Sequence, residues 1–289
     1  MTRLQRVEVI ANVASGGVGA DAPETAAKIL AEHGVAANVH APALGELERA
    51  IKAAVDAGPD LIVVIAGDGT ARATAEAAGP KGPMVAPLPG GTMNMLPKAV
   101  YGQLAWPEAL AAILDRGEER MIGGGAVGGR TFLVAAILGA PALWAPAREA
   151  VREGRPKLAW LRAQRALGRA FTGRLRYTLD DGLREKAEAL TFMCPLTSRI
   201  LEDEDQALEA AALDVADAGQ AFRLGVQALV GDWRDDPNVA VARCRLARVW
   251  ASGGIPALLD GELVRLGRLA EITWRPQVAR ILGLPRDAP

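Results

Sequence analysis

The spacing of apolar and polar positions changes once along this chain, and that change divides it. Through the first third, short runs that are apolar throughout alternate with stretches of helical period. Residues 7–12 read as a strand ending in a glycine-rich loop, and residues 23–33 as a helix closed by Gly34. Residues 35–40 give a second strand, 44–57 a second helix closed by Gly58, and 61–66 a third strand with no polar member. Such a run is buried on both faces, as in a parallel sheet covered by helices. A helix over about residues 71–78 and a fourth strand near 84–87 continue the alternation. The order predicts a doubly wound α/β domain over residues 1–118.

From about Glu119 the pattern becomes one of hairpins. Residues 174–179 and 187–194 flank Asp181-Gly182, residues 239–250 form a strand with mixed faces, and 255–259 and 263–274 flank Asp260-Gly261. Asp-Gly between two such runs is a strong short-range hairpin signal. These segments predict a β-sandwich-like second domain over residues 119–289, with its last residues free to pack back on the first. Residues 146–171 interrupt it with an alanine- and arginine-rich stretch of helical period.

Composition narrows the chemistry. Half of the 289 residues are hydrophobic and the net charge is -1, so two domains with large cores are expected and nucleic acid finds no overall attraction. Cys194 and Cys244 each lie in an apolar stretch, which implies two core thiols in a reducing compartment rather than a disulfide framework. His33 and His40 are the only histidines, leaving little material for a His-Glu-x-x-His zinc site or a Ser/His/Asp triad. The opening residues lack the apolar core of a signal peptide, and no uncharged apolar run reaches the roughly 18 residues of a membrane span. The expectation is a cytoplasmic protein.

Loops at the carboxyl ends of parallel strands bind ligands in open α/β sheets, and three here are unusual. They are expected to meet at one edge. The first runs from Asn12 through Ser15, Gly16 and Gly17 to Gly19, where glycine lets backbone amides approach an anion that a helix N-terminus also favours. Gly17-x-Gly19-x-x-Ala22 also fits a loose dinucleotide pattern, but His40-Ala41-Pro42 stands where a ribose-binding acid is needed. The second loop is Ala66-Gly67-Asp68-Gly69-Thr70. A carboxylate between glycines at the end of a buried strand contributes nothing to a core and points to a site; the plain reading is a turn with Asp68 or Thr70 capping the helix. The third, Pro87 to Asn94, is a rigid glycine turn entering a helix, with Gly91 at the turn and Thr92 and Asn94 able to donate hydrogen bonds.

Together these elements resemble the diacylglycerol kinase catalytic-domain family, which includes sphingosine and ceramide kinases and is similar in its loops to NAD kinases. The family's Asn-Pro-x-Ser-Gly, Gly-Gly-Asp-Gly-Thr and Pro-x-Gly-Thr-x-Asn elements match residues 12–16, 66–70 and 89–94 in order and spacing, and Asp260-Gly261-Glu262 stands where such kinases carry an Asp-Gly-Glu turn. The resemblance implies an ATP-dependent lipid kinase acting on the hydroxyl of a lipid such as diacylglycerol or ceramide. It implies ATP in an interdomain cleft, with Asn12, Ser15, Gly16, Gly17, Gly67, Gly69, Thr70, Gly91, Thr92 and Asn94 binding it and Mg²⁺ beside it. It also implies Asp68 and Glu262 as catalytic acids. Glu262 is assigned as base and Asp68 as organiser of phosphate or metal, and the reverse assignment stays open.

The sequence departs from the family at several points. Val13 replaces a proline, Ala66 replaces a glycine, no basic residue follows Gly16, Met95 stands where an aspartate is frequent, and Asp214 and Asp217 lack the glycine of a metal loop. Mg²⁺ ligands are therefore not located. Two alternatives remain open, an NAD-kinase-like enzyme for a soluble metabolite and a non-catalytic nucleotide- or lipid-binding regulator. Between Arg148 and Arg176 nine basic residues face only Glu149 and Glu153. Arg162, Arg165 and Arg169 share one helical face opposite Trp160, Leu167 and Phe171, which suggests peripheral docking on an inner membrane face.

Overall fold

The computed structural model describes residues 4–43, 45–144, 174–198, 200–201, 205–214 and 236–285. The basic stretch with Arg162, Arg165 and Arg169 lies outside the described residues, as does Asp217. The chain forms two compact units, one of Met1–Gly123 with Pro276–Pro289 and one of Gly124–Arg275. The change of pattern near Glu119 thus precedes the first boundary by a few residues, and residues 276–289 group with the first unit.

In the first unit β1 (Val7–Ala11), α1 (Ala22–Glu32), β2 (Ala37–His40), α2 (Leu47–Asp56), β3 (Leu61–Ala66), α3 (Asp68–Ala78) and β4 (Met84–Pro89) alternate, followed by α4 (Met95–Tyr101) and α5 (Trp106–Arg116). The strands pair in parallel in the order β2–β1–β3–β4. Every residue of β1 and β3 is buried, as a parallel sheet covered on both faces requires. Ile10, Ile62, Val64 and Val85 pack with Ile51 and Ala54 of α2 to form one core layer. Each buried Ile, Leu or Val contributes about 1.5–3 kcal/mol relative to exposure. Helix α3 begins at Asp68, three residues earlier than its apolar spacing suggests. Gly67 is extended and the helix turns immediately after it, with an acid in the first turn where the dipole favours negative charge.

The second unit is antiparallel. Its elements are the end of β5 (Glu118–Val127), β6 (Arg130–Phe132), β7 (Ala135–Gly139), a 3₁₀ turn over Ala140–Trp144, β8 (Leu175–Leu179), β9 (Glu185–Ala187), β10 (Ala189–Met193), β11 (Leu208–Leu213), β12 (Val239–Cys244), β13 (Leu246–Trp250), β14 (Ile255–Leu259), β15 (Glu262–Leu266) and the first half of β16 (Leu269–Gly283). One sheet runs β16–β13–β8–β9 and the other β12–β11–β10–β7–β14–β15. Their inner faces share one core, with Tyr177, Val249 and Ile272 from the first and Leu138, Phe192, Leu208 and Leu259 from the second. Cys194 and Cys244 are both buried, and burial pushes the Cys244 thiol up to about 12. The β-sandwich reading therefore describes this unit.

Three segments read as single strands are divided. Residues 187–194 split at Glu188, with β9 pairing to β8 and β10 to β7 and β11. Residues 239–250 split at Arg245, and residues 263–274 split at Gly267-Arg268. All three breaks mark where the chain leaves one sheet for the other, which no local propensity records. The hairpin from β8 turns with Asp180 in the left-handed region at φ 47°, and Asp180 Oδ1 accepts the amides of Arg245 and Leu246 across the sheet. The second half of β16 returns to the first unit and pairs in parallel with β4 at Ile281 and Val85. Among the described residues no helix is long and apolar enough to cross a membrane.

Candidate active site

At the carboxyl ends of β1, β3 and β4 the three loops converge and are tied by their backbones. The amide of Asn12 donates to the carbonyl of Ile65 at 2.9 Å, Gly90 to Ala66 at 3.0 Å, and Gly17 to Gly90 at 3.1 Å. The Ser15 hydroxyl donates to the Gly90 carbonyl at 2.7 Å. This proximity leaves no room for side chains. A Cβ on Gly90 would lie 2.6 Å from Val18 Cγ2 and 2.7 Å from the Ala66 nitrogen, and one on Gly91 would lie 2.5 Å from Gly67 Cα.

Other glycines of the same loops face open space. A Cβ on Gly16 or Gly69 would meet nothing within 4 Å. Gly69 is in the first turn of α3, where the amides of Asp68 and Gly69 have no acceptor within the helix and point with the positive end of its dipole. Glycines pressed together beneath and open above form a cradle with room for a bulky anion. Nucleotide phosphate fits this donor set.

Asp68 lies beside the cradle, 8 % exposed, and its Oδ1 accepts the amide of Leu96 at 3.0 Å. The amide–carboxylate bond ties α3 to the start of α4. Asn94, expected as a donor to ligand, has another job here. It sits in the left-handed region at φ 50°, its Oδ1 accepting from Gly91 nitrogen at 2.7 Å while its Nδ2 donates to the Gly91 carbonyl at 3.0 Å. Both ends of the amide are thus used in shaping the loop. Thr92 is exposed at the tip and Thr70 is half-buried in the first turn of α3.

Glu262 belongs to the second unit, while the three loops and Asp68 belong to the first. It begins β15, after a two-residue turn in which Asp260 and Gly261 both have positive φ, 46° and 88°. Its carboxylate lies 3.0 Å from Arg130, with both side chains about half exposed. The same turn contains a residue whose importance the sequence did not signal. Asp260 is 6 % exposed and accepts the amides of Leu133, Val134 and Ala135 at 2.7, 2.9 and 2.9 Å. An aspartate that ends a buried strand before glycine is the available clue, but its partners lie more than a hundred positions away. Asp260→Ala leaves three amides without their charged acceptor, and about 3 kcal/mol of unfolding free energy is expected to be lost, measured by denaturant titration. Arg130→Ala, which removes an exposed pair, is expected to cost under about 1 kcal/mol.

For the metal, groups of three or more His, Cys, Asp or Glu side chains that could hold an ion are absent among the described residues. Mg²⁺ bound with a nucleotide needs only one or two carboxylates together with phosphate oxygens, and Asp68 meets that requirement. Asp214, weighed as part of a metal loop, instead pairs with Arg174.

Comparison with known proteins finds one domain match and a shared fold. Residues 6–125 match the diacylglycerol kinase catalytic domain. Three Bacillus anthracis str. Sterne structures, two provisionally and one outright named as diacylglycerol kinases, superpose with TM-scores of 0.73, 0.72 and 0.69. Their identities are 18 %, 18 % and 15 %, and 99 % of each chain is covered, so they establish a common fold. No curated protein matches the sequence. The parallel sheet with glycine loops at its edge and the antiparallel second unit share the fold of these structures, and the match to the diacylglycerol kinase catalytic domain covers residues 6–125.

Proposed function

We propose that this protein is an ATP-dependent lipid kinase that transfers the γ-phosphate to the hydroxyl of a lipid such as diacylglycerol or ceramide. The observation that supports this most is the cradle, closed by Gly90 against Val18 and Ala66 and by Gly91 against Gly67 and open at Gly16 and Gly69, with a buried carboxylate at its margin. Phosphoryl transfer asks a protein chiefly to position its reactants and to accept one proton. ATP supplies the phosphoryl group, and Mg²⁺ neutralises its oxygens when bound.

The chain's own residues divide the remaining work. Gly16 and the amides opening α3 receive phosphate oxygens, with Asn12, Ser15, Gly17, Gly67, Thr70, Gly91 and Thr92 around them, the Gly17 amide being held by the Gly90 carbonyl. Ser15 already donates its proton to Gly90, so its hydroxyl fixes the loop and offers lone pairs rather than a hydrogen. Asn94 holds Gly91 in place. Asp68 organises the phosphates or their metal from a fixed orientation. Glu262, whose carboxylate lies 3.0 Å from the Arg130 guanidinium, is assigned to take the proton of the acceptor hydroxyl. A lipid acceptor places the encounter at a bilayer surface, so the protein works as a peripheral enzyme.

The test is transfer of labelled γ-phosphate from Mg·ATP to diacylglycerol, ceramide and sphingosine in mixed micelles, with NAD as soluble control. Labelled lipid is expected. Label in NAD alone replaces the proposal with a soluble-metabolite kinase, and ATP binding without any transfer replaces it with a nucleotide-binding regulator.

A further inference from the structure

The outward face of the sheet β16–β13–β8–β9 is not explained by catalysis. Cross-strand register places Leu269, Trp250, Arg176 and Lys186 in one row, with Glu271, Arg248 and Thr178 in the next. Residues directly opposite share a face, and the alternate positions Ala270, Val249, Leu175, Tyr177 and Ala187 are in the core. The rows therefore point away from it. Four strands at about 4.8 Å spacing make the first row roughly 14 Å wide.

This face mixes exposed aliphatic, aromatic and cationic groups. Leu269 is 55 % exposed, and Leu183, in the turn between β8 and β9, is 87 % exposed. The Arg184 guanidinium lies over the Trp250 ring, 4.6 Å from its centre. Arg176 and Lys186 have no ion-pair partner among the described residues. Most of the nearby acids are engaged. Glu271 pairs with Arg248 at 3.1 Å within the outward rows, whereas Glu185 shares the core-side position of Tyr177 and accepts from its hydroxyl. Asp180 and Asp181 lie at the turn, so the two rows with Arg184 carry four cations and one acid. The face is locally cationic in a chain whose net charge is -1. Two large aliphatic side chains in water cost free energy that no soluble polyanion returns, whereas a lipid interface accepts leucine, tryptophan and cations together.

We propose that this face docks on an anionic lipid bilayer, with Leu183 and Leu269 entering the headgroup–acyl boundary, Trp250 at the interface, and Arg176, Arg184 and Lys186 meeting lipid phosphates. The lipid-kinase reading supplies the reason for meeting a bilayer. The docking itself needs neither ATP nor turnover, so the two stand or fall by separate measurements.

The experiment is sedimentation of the full chain with phosphatidylcholine–phosphatidylserine vesicles, using phosphatidylcholine alone as the neutral control. Each cation removed is expected to lower partitioning about fivefold, so Arg176→Ala with Lys186→Ala lowers it about 25-fold. Leu183→Asp with Leu269→Asp is expected to abolish pelleting. Arg49→Ala with Lys52→Ala, on the exposed side of α2, is expected to leave it unchanged. All these positions are exposed, and circular dichroism checks that each variant is folded. The proposal is overturned if both sets of sheet variants pellet like the wild type, or if neutral vesicles bind equally. It is also overturned if only Arg162, Arg165 and Arg169 reversal abolishes binding, or if the protein binds RNA but no vesicle. Absence of lipid labelling with pelleting intact removes the kinase reading alone.

Discussion

Asp68→Asn is expected to lower phosphoryl transfer roughly 10²–10⁴-fold while the protein melts within a few degrees of the wild type. The substitution keeps the shape and keeps an oxygen for the Leu96 amide, which Asp68 Oδ1 accepts at 3.0 Å. It removes only the charge. A carboxylate in the first turn of α3 interacts with the dipole by about 0.3–1 kcal/mol, a small part of the stability of a domain this size. Activity should fall because negative charge beside the cradle is lost where metal and phosphate must be organised. Asp68→Ala separates the two roles, since it also strands the Leu96 amide and should lower the melting temperature. Initial rates of lipid labelling beside thermal unfolding decide the matter. Full activity in Asp68→Asn places the reacting centre elsewhere, and a large drop in melting temperature makes Asp68 a structural pin.

Two glycine substitutions in the same loops are expected to have opposite effects on stability. In Gly91→Ala the new methyl would sit 2.5 Å from Gly67 Cα, a backbone atom that cannot rotate away. The loops must separate, at a cost of about 1–3 kcal/mol, and nucleotide binding should be lost with the geometry. In Gly69→Ala the methyl meets nothing within 4 Å, and the site is in a helix where alanine is better than glycine by up to about 1 kcal/mol. That variant should be as stable as the wild type or more so, yet bind ATP more weakly, because the methyl occupies the space assigned to phosphate. Thermal unfolding and binding of a fluorescent ATP analogue read both quantities. A Gly69→Ala protein with unchanged affinity moves the phosphates off the α3 N-terminus. A Gly91→Ala protein that unfolds normally contradicts the close packing of the loops.

Much of the first unit was legible because its information is local. A six-residue apolar run at residues 61–66, bounded by Pro59-Asp60 and Gly67, has few alternatives to a buried strand, and β3 spans the same residues. The three glycine loops could be ordered along one sheet edge for the same reason, since consecutive parallel strands put their carboxyl ends on one side. The start of α3 was misplaced because apolar spacing begins only at Ala71, while Gly67 allows the helix to turn at Asp68. The second unit resisted local reading. Glu188 and Arg245 look like ordinary strand positions, and what makes them breaks is the transfer of the chain between two sheets whose partners are distant in sequence.

The sequence by itself determined the α/β order, the hairpin turn at Asp260-Gly261 and the residue types at the loop edge, because period, turn chemistry and glycine spacing act over a few residues. Only the tertiary structure decided that Asn94 shapes its loop rather than offering its amide outward. It alone revealed that Asp260 anchors residues 133–135 and that Ile281 joins the sheet beside Val85. The Asp260 and Ile281 contacts join groups from 125 to nearly 200 positions apart, which no window of sequence contains, and the role of Asn94 depends on a left-handed conformation that several residue types permit.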